Sequence, residues 1–200
     1  MYPSSIQKLI ELFSRFPTIG PRTASRLVFY LLKLPSSEVD EFVQAVRQLR
    51  QSIQLCKWCF NPFDLKDDGE GLCGICKDNS RDNTLLCVVE KESDLAALEK
   101  TKSYNGLYFI LGGNVGQLRK EELQGIRVEE LKQRIQNQKP KEVILATNLT
   151  TEGETTALYL ERVLQPLGVE TKHLGRGLPI GSELEYADEE TLRQAFASRR

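Results

Sequence analysis

The apolar positions of this chain change their period twice along its length. Near the start, Ile6, Leu9, Ile10 and Phe13 recur at three- and four-residue intervals, and this spacing predicts a helix over 4–16. A break from Pro17 to Pro21 follows. A second helical pattern then runs from Thr23 to Leu34, with Ala24, Leu27, Val28, Leu31 and Leu32 inward and Arg22, Arg26 and Lys33 left for the outside. Pro35 stops it, and Ser36 or Ser37 is placed to cap a third helix at about 38–54. Over 55–80 the periodicity vanishes, and Cys, Gly and Asp become frequent. From residue 84 short apolar runs (Leu85–Val89, Leu107–Leu111, Val143–Thr147) alternate with helical stretches at 93–101, 128–138 and 154–165. Strands alternating with helices predict a parallel sheet covered on both faces. Gly and Pro punctuate Gly175 to Tyr186, a bent loop expected to leave Arg176 exposed, before a last short helix at about 188–197.

Composition adds limits. Hydrophobic residues make up 40% of the 200, enough to build a core, and no run approaches the ~20 apolar residues of a membrane span. The opening MYPSSIQKLIELF lacks a charged segment followed by an apolar one, so a cytoplasmic chain is expected. The net charge of −1 is unlike that of a nucleic-acid binder, yet residues 1–33 hold five basic side chains (Lys8, Arg15, Arg22, Arg26, Lys33) against one acid, Glu11. A locally basic module on a neutral chain suits modest DNA binding and leaves acidic surface for other partners.

Five cysteines stand at 56, 59, 73, 76 and 87. Cys56-x-x-Cys59 and Cys73-x-x-Cys76 are separated by thirteen residues, with Gly69 and Gly71 between them to let the chain turn. Each pair presents two thiolates from one tight turn, and two pairs complete a tetrahedron around Zn²⁺. A redox Cys-x-x-Cys explains one pair but not two. Four protein ligands leave no position for water, so the expected role is structural. Cys87, inside Leu-Leu-Cys-Val-Val, reads as a small buried hydrophobe. The single histidine, His173, lies far from the other candidate residues and is poorly suited to a catalytic triad.

The corner Phe16-Pro-Thr-Ile-Gly-Pro-Arg-Thr-Ala24 resembles a helix-hairpin-helix. A glycine turn there brings backbone N–H groups at the start of the second helix close to a phosphate, and the helix dipole favours the anion. Arg22 and Arg26, four apart, share a face beside the turn. Contacts of this kind neutralise phosphates without reading bases. The motif usually carries glycine where this chain has Thr18. The bland reading is a plain αα-hairpin with solvated arginines.

Val88-Val-Glu90 ends one predicted strand, and Ile144-Leu-Ala-Thr-Asn-Leu-Thr-Thr-Glu-Gly-Glu154 ends another and opens a helix. The pair is similar to the Toprim fold of topoisomerases and primases. Against that family's Ala-Thr-Asp-x-Asp-Arg-Glu-Gly-Glu, the two aspartates fall on Asn148 and Thr150 and the arginine on Thr151, while Glu152, Gly153 and Glu154 match. Metal-assisted phosphoryl transfer needs hard, charged oxygen ligands, which an amide and a hydroxyl do not supply. Glu152 and Glu154 then form either a solvated pair that suits the helix dipole or an acidic docking surface. The loop from Gly112 to Gly116 lacks the spacing and the lysine of a phosphate-binding loop and reads as a strand-end turn.

Taken in order, the hairpin, the Cys₄ cluster, the degenerate Toprim and the stretch Gly-Leu-Pro-Ile-Gly-Ser-Glu-Leu-Glu-Tyr-Ala-Asp-Glu resemble the bacterial recombination mediator family RecR over essentially the whole chain. Gln117 to Ile126 departs from the usual loop of that family. The resemblance implies a multi-module α/β chain, expected as a helix-hairpin-helix module at 1–54, a zinc finger at 55–80, a Rossmann-like Toprim domain at 81–174 and a C-terminal segment at 175–200. It implies a non-enzymatic, nucleoid-associated DNA-binding protein that works with RecO-like and RecF-like repair proteins to help load RecA on gapped single-stranded DNA. It further implies a homo-oligomer, a dimer or a tetramer ring, around duplex or single-stranded DNA. Arg22 and Arg26 match its DNA-contact positions, with Lys8 and Arg15 supporting, and Glu90, Glu152 and Glu154 match its partner-facing surface. The rival reading is a Toprim-type metal-dependent nuclease or primase-like enzyme.

Overall fold

The computed structural model describes residues 2–65, 70–115, 125–175, 177–178, 181 and 183–197. Gly69, Gly116, residues 117–124 and Arg176, singled out above, lie outside the described residues. The chain divides into two compact units, Met1–Ile53 and Gln54–Arg200.

The first unit is helical: α1 (Ser4–Phe13), α2 (Pro21–Leu31) and α3 (Ser36–Ser52). α1 ends three residues before the expected point, because Phe16 N–H turns back to the Phe13 carbonyl and Ile19 N–H to that of Phe16. α2 begins earlier than Thr23. Pro21 takes its first position, where a fixed φ and a missing N–H cost nothing. α1 and α2 pack around Ala24 and Val28, the buried residues of this unit, with Tyr2 edge-on to Phe29 at 5.2 Å. The serine cap expected on the third helix does not form. Ser36 is already helical, and extended Pro35 precedes it without a side-chain bond.

From the boundary onward, β1 (Ile53–Leu55) pairs with β2 (Pro62–Asp64), and the short α4 (Gly74–Lys77) follows. A parallel four-stranded sheet then builds the core: β3 (Asp82–Val89), β4 (Gly106–Ile110), β5 (Glu142–Ala146) and β6 (Glu170–His173), in the order β4-β3-β5-β6. The crossovers are α5 (Glu92–Lys100), α6 (Val128–Gln138) and α7 (Thr151–Leu164), and α8 (Glu189–Ala197) comes last. Successive strand residues face opposite layers. Leu86, Val88, Leu107 and Phe109 pack with Leu131 and Ile135 of α6 and Leu160 and Leu164 of α7. Cys87, Val89, Tyr108 and Ile110 pack with Leu95 of α5. Burying each of these aliphatic side chains is worth about 1.5–3 kcal/mol.

β4 is an edge strand, and the cysteine segment meets it: Ile110 N–H donates to the Cys59 carbonyl at 3.0 Å. After β4, Gly112 and Gly113 turn the chain at φ 95° and 151°, so the first half of the glycine loop is the strand-end turn expected of it. Among the described residues, no helix is long and apolar enough to cross a membrane.

Candidate DNA interface and metal centre

The corner between α1 and α2 is open. Gly20 is extended (φ −81°, ψ 169°) and caps α2 through its carbonyl, which accepts from Ala24 N–H at 2.9 Å. No atom lies within 4 Å of where a Cβ on Gly20 would stand, so another molecule can approach the backbone there. The first N–H groups of a helix have no partner inside it and carry its positive dipole end. Arg22 and Arg26 flank this end, and they, Lys8 and Arg15 are all at least partly exposed. Thr18 takes φ 65°, the left-handed conformation that glycine adopts freely. A β-branched residue held there costs about 1–2 kcal/mol, so Thr18 stands in a conformation that suits the motif's usual glycine better.

The four paired cysteines converge. Their Sγ atoms all lie within 4.8 Å of one another, Cys59 and Cys73 at 3.4 Å, and every one of the four residues is buried. A tetrahedral Zn²⁺ with ~2.3 Å bonds sets its sulfurs about 3.8 Å apart, so the quartet fits such an ion. Phe60 at φ 63° and Gly71 at φ 76° make the turns that aim the sulfurs inward. The Gly71 carbonyl accepts from Lys57 N–H at 3.0 Å, and a Cβ on Gly71 would stand 2.5 Å from the Lys57 stem. The thiols also bond to each other. Cys59 draws Cys56 well below the ordinary thiol range, while Cys56 pushes Cys59 and Cys76 far above it. Cys73, raised by Cys56 and lowered by Cys59 and Cys76, settles at about 7. Four sulfurs crowded this way ionise together only around a shared cation. Cys87 is a core thiol, pushed up to about 12 by burial.

The acids behave otherwise. Glu90 and Asn148 follow the C-terminal ends of neighbouring strands β3 and β5, the rim where open α/β sheets bind ligands. The Glu90 carboxylate accepts from Asn148 twice, from the backbone N–H to Oε1 and from Nδ2 to Oε2, both at 2.8 Å. Glu90, expected on a partner-facing surface, is 1% exposed, and its carboxylate points inward, where the Asn148 amide satisfies it. Thr150, at the second aspartate position, caps α7 by accepting from Gly153 N–H at 3.2 Å. Gly153 closes the arrangement, since a Cβ there would stand 2.1 Å from the Asn148 carbonyl oxygen. Glu152 and Glu154 lie in the first turn of α7, Glu154 exposed and Glu152 half-buried. Among the described residues, the cysteine quartet is the one group of three or more His, Cys, Asp or Glu that converges on a metal position. His173 meets Glu161 at 2.6 Å.

Comparison with known proteins matches this succession of sites. A helix-hairpin-helix model of RecR covers residues 6–50, a Toprim domain model 84–174 and a RecR C-terminal model 177–200. The recombination protein RecR of Moorella thermoacetica is 47% identical over 198 residues, covering 99% of this chain and 97% of that protein. The chain belongs to the RecR family. The recombination protein RecR of Cutibacterium acnes is 42% identical over 199 residues, covering all of this chain and 96% of its own. The RecR helix-hairpin-helix match includes the α1–α2 corner, and the Toprim match includes both Glu90 and the stretch from Asn148 to Glu154.

The pairing of Glu90 with Asn148 escaped sequence reasoning, because the two residues stand 58 positions apart. The signal available was that an amide replaced an acid opposite a retained glutamate, a combination that lets the two bond to each other.

Proposed function

We propose that this protein is a non-enzymatic, DNA-binding mediator of recombinational repair. The observation that carries the reading is the open α1–α2 corner, with Arg22 and Arg26 at the surface beside the N-terminal N–H groups of α2. Phosphates bind there without base readout, and Lys8 and Arg15 add weaker attraction. The relatives' name, recombination protein, supports placing this binding in recombination. On this reading the protein acts at single-stranded gaps with RecO-like and RecF-like partners and helps RecA replace single-strand-binding protein.

The cysteine quartet holds a structural Zn²⁺, and Glu152 and Glu154 face a partner protein. Glu90 supports that surface from inside by fixing Asn148. A single basic corner gives only about 10⁻⁴–10⁻⁶ M non-specific affinity, so several copies are needed for useful binding. Phe42, Val46 and Leu49 of α3, exposed at 48%, 50% and 61% along one helix face, support self-association into a dimer or ring.

The test is a salt titration of binding to gapped DNA by fluorescence anisotropy. Replacing both Arg22 and Arg26 by Ala should weaken binding at least tenfold and flatten the salt slope by about 0.9 for each phosphate left without its cation. An unchanged slope would move the DNA interface elsewhere.

A further inference from the structure

A second site lies far along the chain from the hairpin. Between the Cys56–Cys59 turn and α6 the second unit holds a cleft of about 520 Å³, of the size that takes a small molecule. At its wall sits Arg134, only 8% exposed. Its Nε donates to Gln138 Oε1 at 2.7 Å, and Gln138 is fixed in turn by donating from Nε2 to the Asn83 carbonyl at 2.9 Å. Its guanidinium carbon lies 5.1 Å from the centre of the Trp58 ring. Both terminal nitrogens, Nη1 and Nη2, are buried and have no hydrogen-bond partner among the described residues.

A buried guanidinium with both terminal nitrogens unsatisfied is costly unless something accepts from it. Held at Nε and stacked on an indole, this one is pre-organised, and its free edge matches two oxygens of one phosphate or carboxylate. Lys57 adds a second cation at the cleft, whose lining also holds two carboxylates, Asp78 (3.5 Å from Arg81 Nε) and Glu130. Arg81 also lines it, but Glu99 already engages that guanidinium through both of its terminal nitrogens. The rest of the cleft favours a nucleotide over a bare anion. Trp58 keeps 47% of its surface exposed, which leaves room for a base to stack, and Asn137, which also lines the cleft, offers a hydrogen-bonding edge.

We infer that this cleft binds one nucleotide, its phosphate on Arg134 and its base against Trp58, independently of the hairpin arginines. The nucleotide is either free or one unit of a single strand.

Trp58 is the single tryptophan of the chain, so its fluorescence reports this site alone. The full-length, zinc-loaded protein carrying Arg22→Ala and Arg26→Ala is titrated with thymidine 5′-monophosphate, thymidine, inorganic phosphate, glutamate and a thymidine tetranucleotide, with calorimetry in parallel. Saturable binding of the monophosphate is expected, at least about tenfold weaker without the phosphate and at least about tenfold weaker in Arg134→Gln. Lys57→Glu, at an exposed position, should weaken it also and serves if Arg134→Gln does not fold. Saturation by the tetranucleotide alone, lost with either variant, assigns the site to a strand; saturation by the monophosphate assigns it to a free nucleotide. No saturation by either, or equal binding in both variants, overturns the inference. Inorganic phosphate or glutamate binding as tightly as the monophosphate overturns it as well. Because the hairpin arginines are absent throughout, failure here leaves the proposed DNA interface untouched.

Discussion

Two places in this protein gather residue types that bind metals elsewhere, and they differ in what surrounds those residues. At the cysteine turns, four sulfurs face one point, buried and brought together by residues in left-handed conformations. At the sheet rim, the buried acid is already satisfied: each oxygen of Glu90 accepts from Asn148, and Thr150 uses its hydroxyl to cap α7. The first site has the donor set and the spacing that fit a cation. The second is complete without one, because an amide supplies as hydrogen bonds what a metal would supply as charge. Retained acids alone therefore say little about catalysis. What matters is whether their oxygens face one another or a donor.

The comparison can be broken most forcefully at the cysteines. Cys59→Ala or chelation should release one zinc per chain, read by elemental analysis, and melt the segment, since zinc binding to such sites is worth about 10–16 kcal/mol at neutral pH. Retention of metal and of the melting temperature would remove the distinction. Gly153→Ala should come next. The added methyl meets the Asn148 carbonyl oxygen at 2.1 Å, and denaturant unfolding should show a loss of about 1–3 kcal/mol, the usual cost of overpacking.

Asn148→Asp sharpens the contrast from the other side. It replaces a donor with a carboxylate against Glu90, and like charges at this distance raise the pKa of one of the pair. The variant should be about 1–2 kcal/mol less stable at neutral pH. It should regain stability as pH falls and the pair takes up a proton, and also on adding Mg²⁺, a gain not expected of the parent protein. Thermal melts across pH, with and without Mg²⁺, check this. The smallest effect is expected for Gly71→Ala. The positive φ costs about 1 kcal/mol, and the steric conflict is only with the flexible end of Lys57.

How much of this was legible depended on how each element is held. The runs at 85–89, 107–111 and 143–147 announced β3, β4 and β5 because strands buried on both faces read as continuous apolar sequence. β6 has the sequence Glu-Thr-Lys-His, pairs among the described residues only with β5 and is mostly exposed, so no hydrophobic signal marked it. β1, β2 and α4 are three or four residues long, too short for any period. They are held by the cysteine turns around them, which spacing did reveal. At the rim, sequence identified the replaced acids but not their new role, because that role is a contact between strands. Nothing in the local sequence sets Arg134 apart from the other polar residues of α6, because its burial involves Trp58, 76 positions away in the chain.

The central claim is that the rim holds Glu90 for structure and not for phosphoryl transfer. The direct test incubates the protein with labelled gapped DNA in Mg²⁺ or Mn²⁺ and runs the DNA on a denaturing gel. Bound but intact DNA, neither cut nor extended, is the expected result. Cut or extended DNA, with the activity lost on Glu90→Ala, would mean that the Toprim site is alive and that the Asn148 pairing gives way to metal.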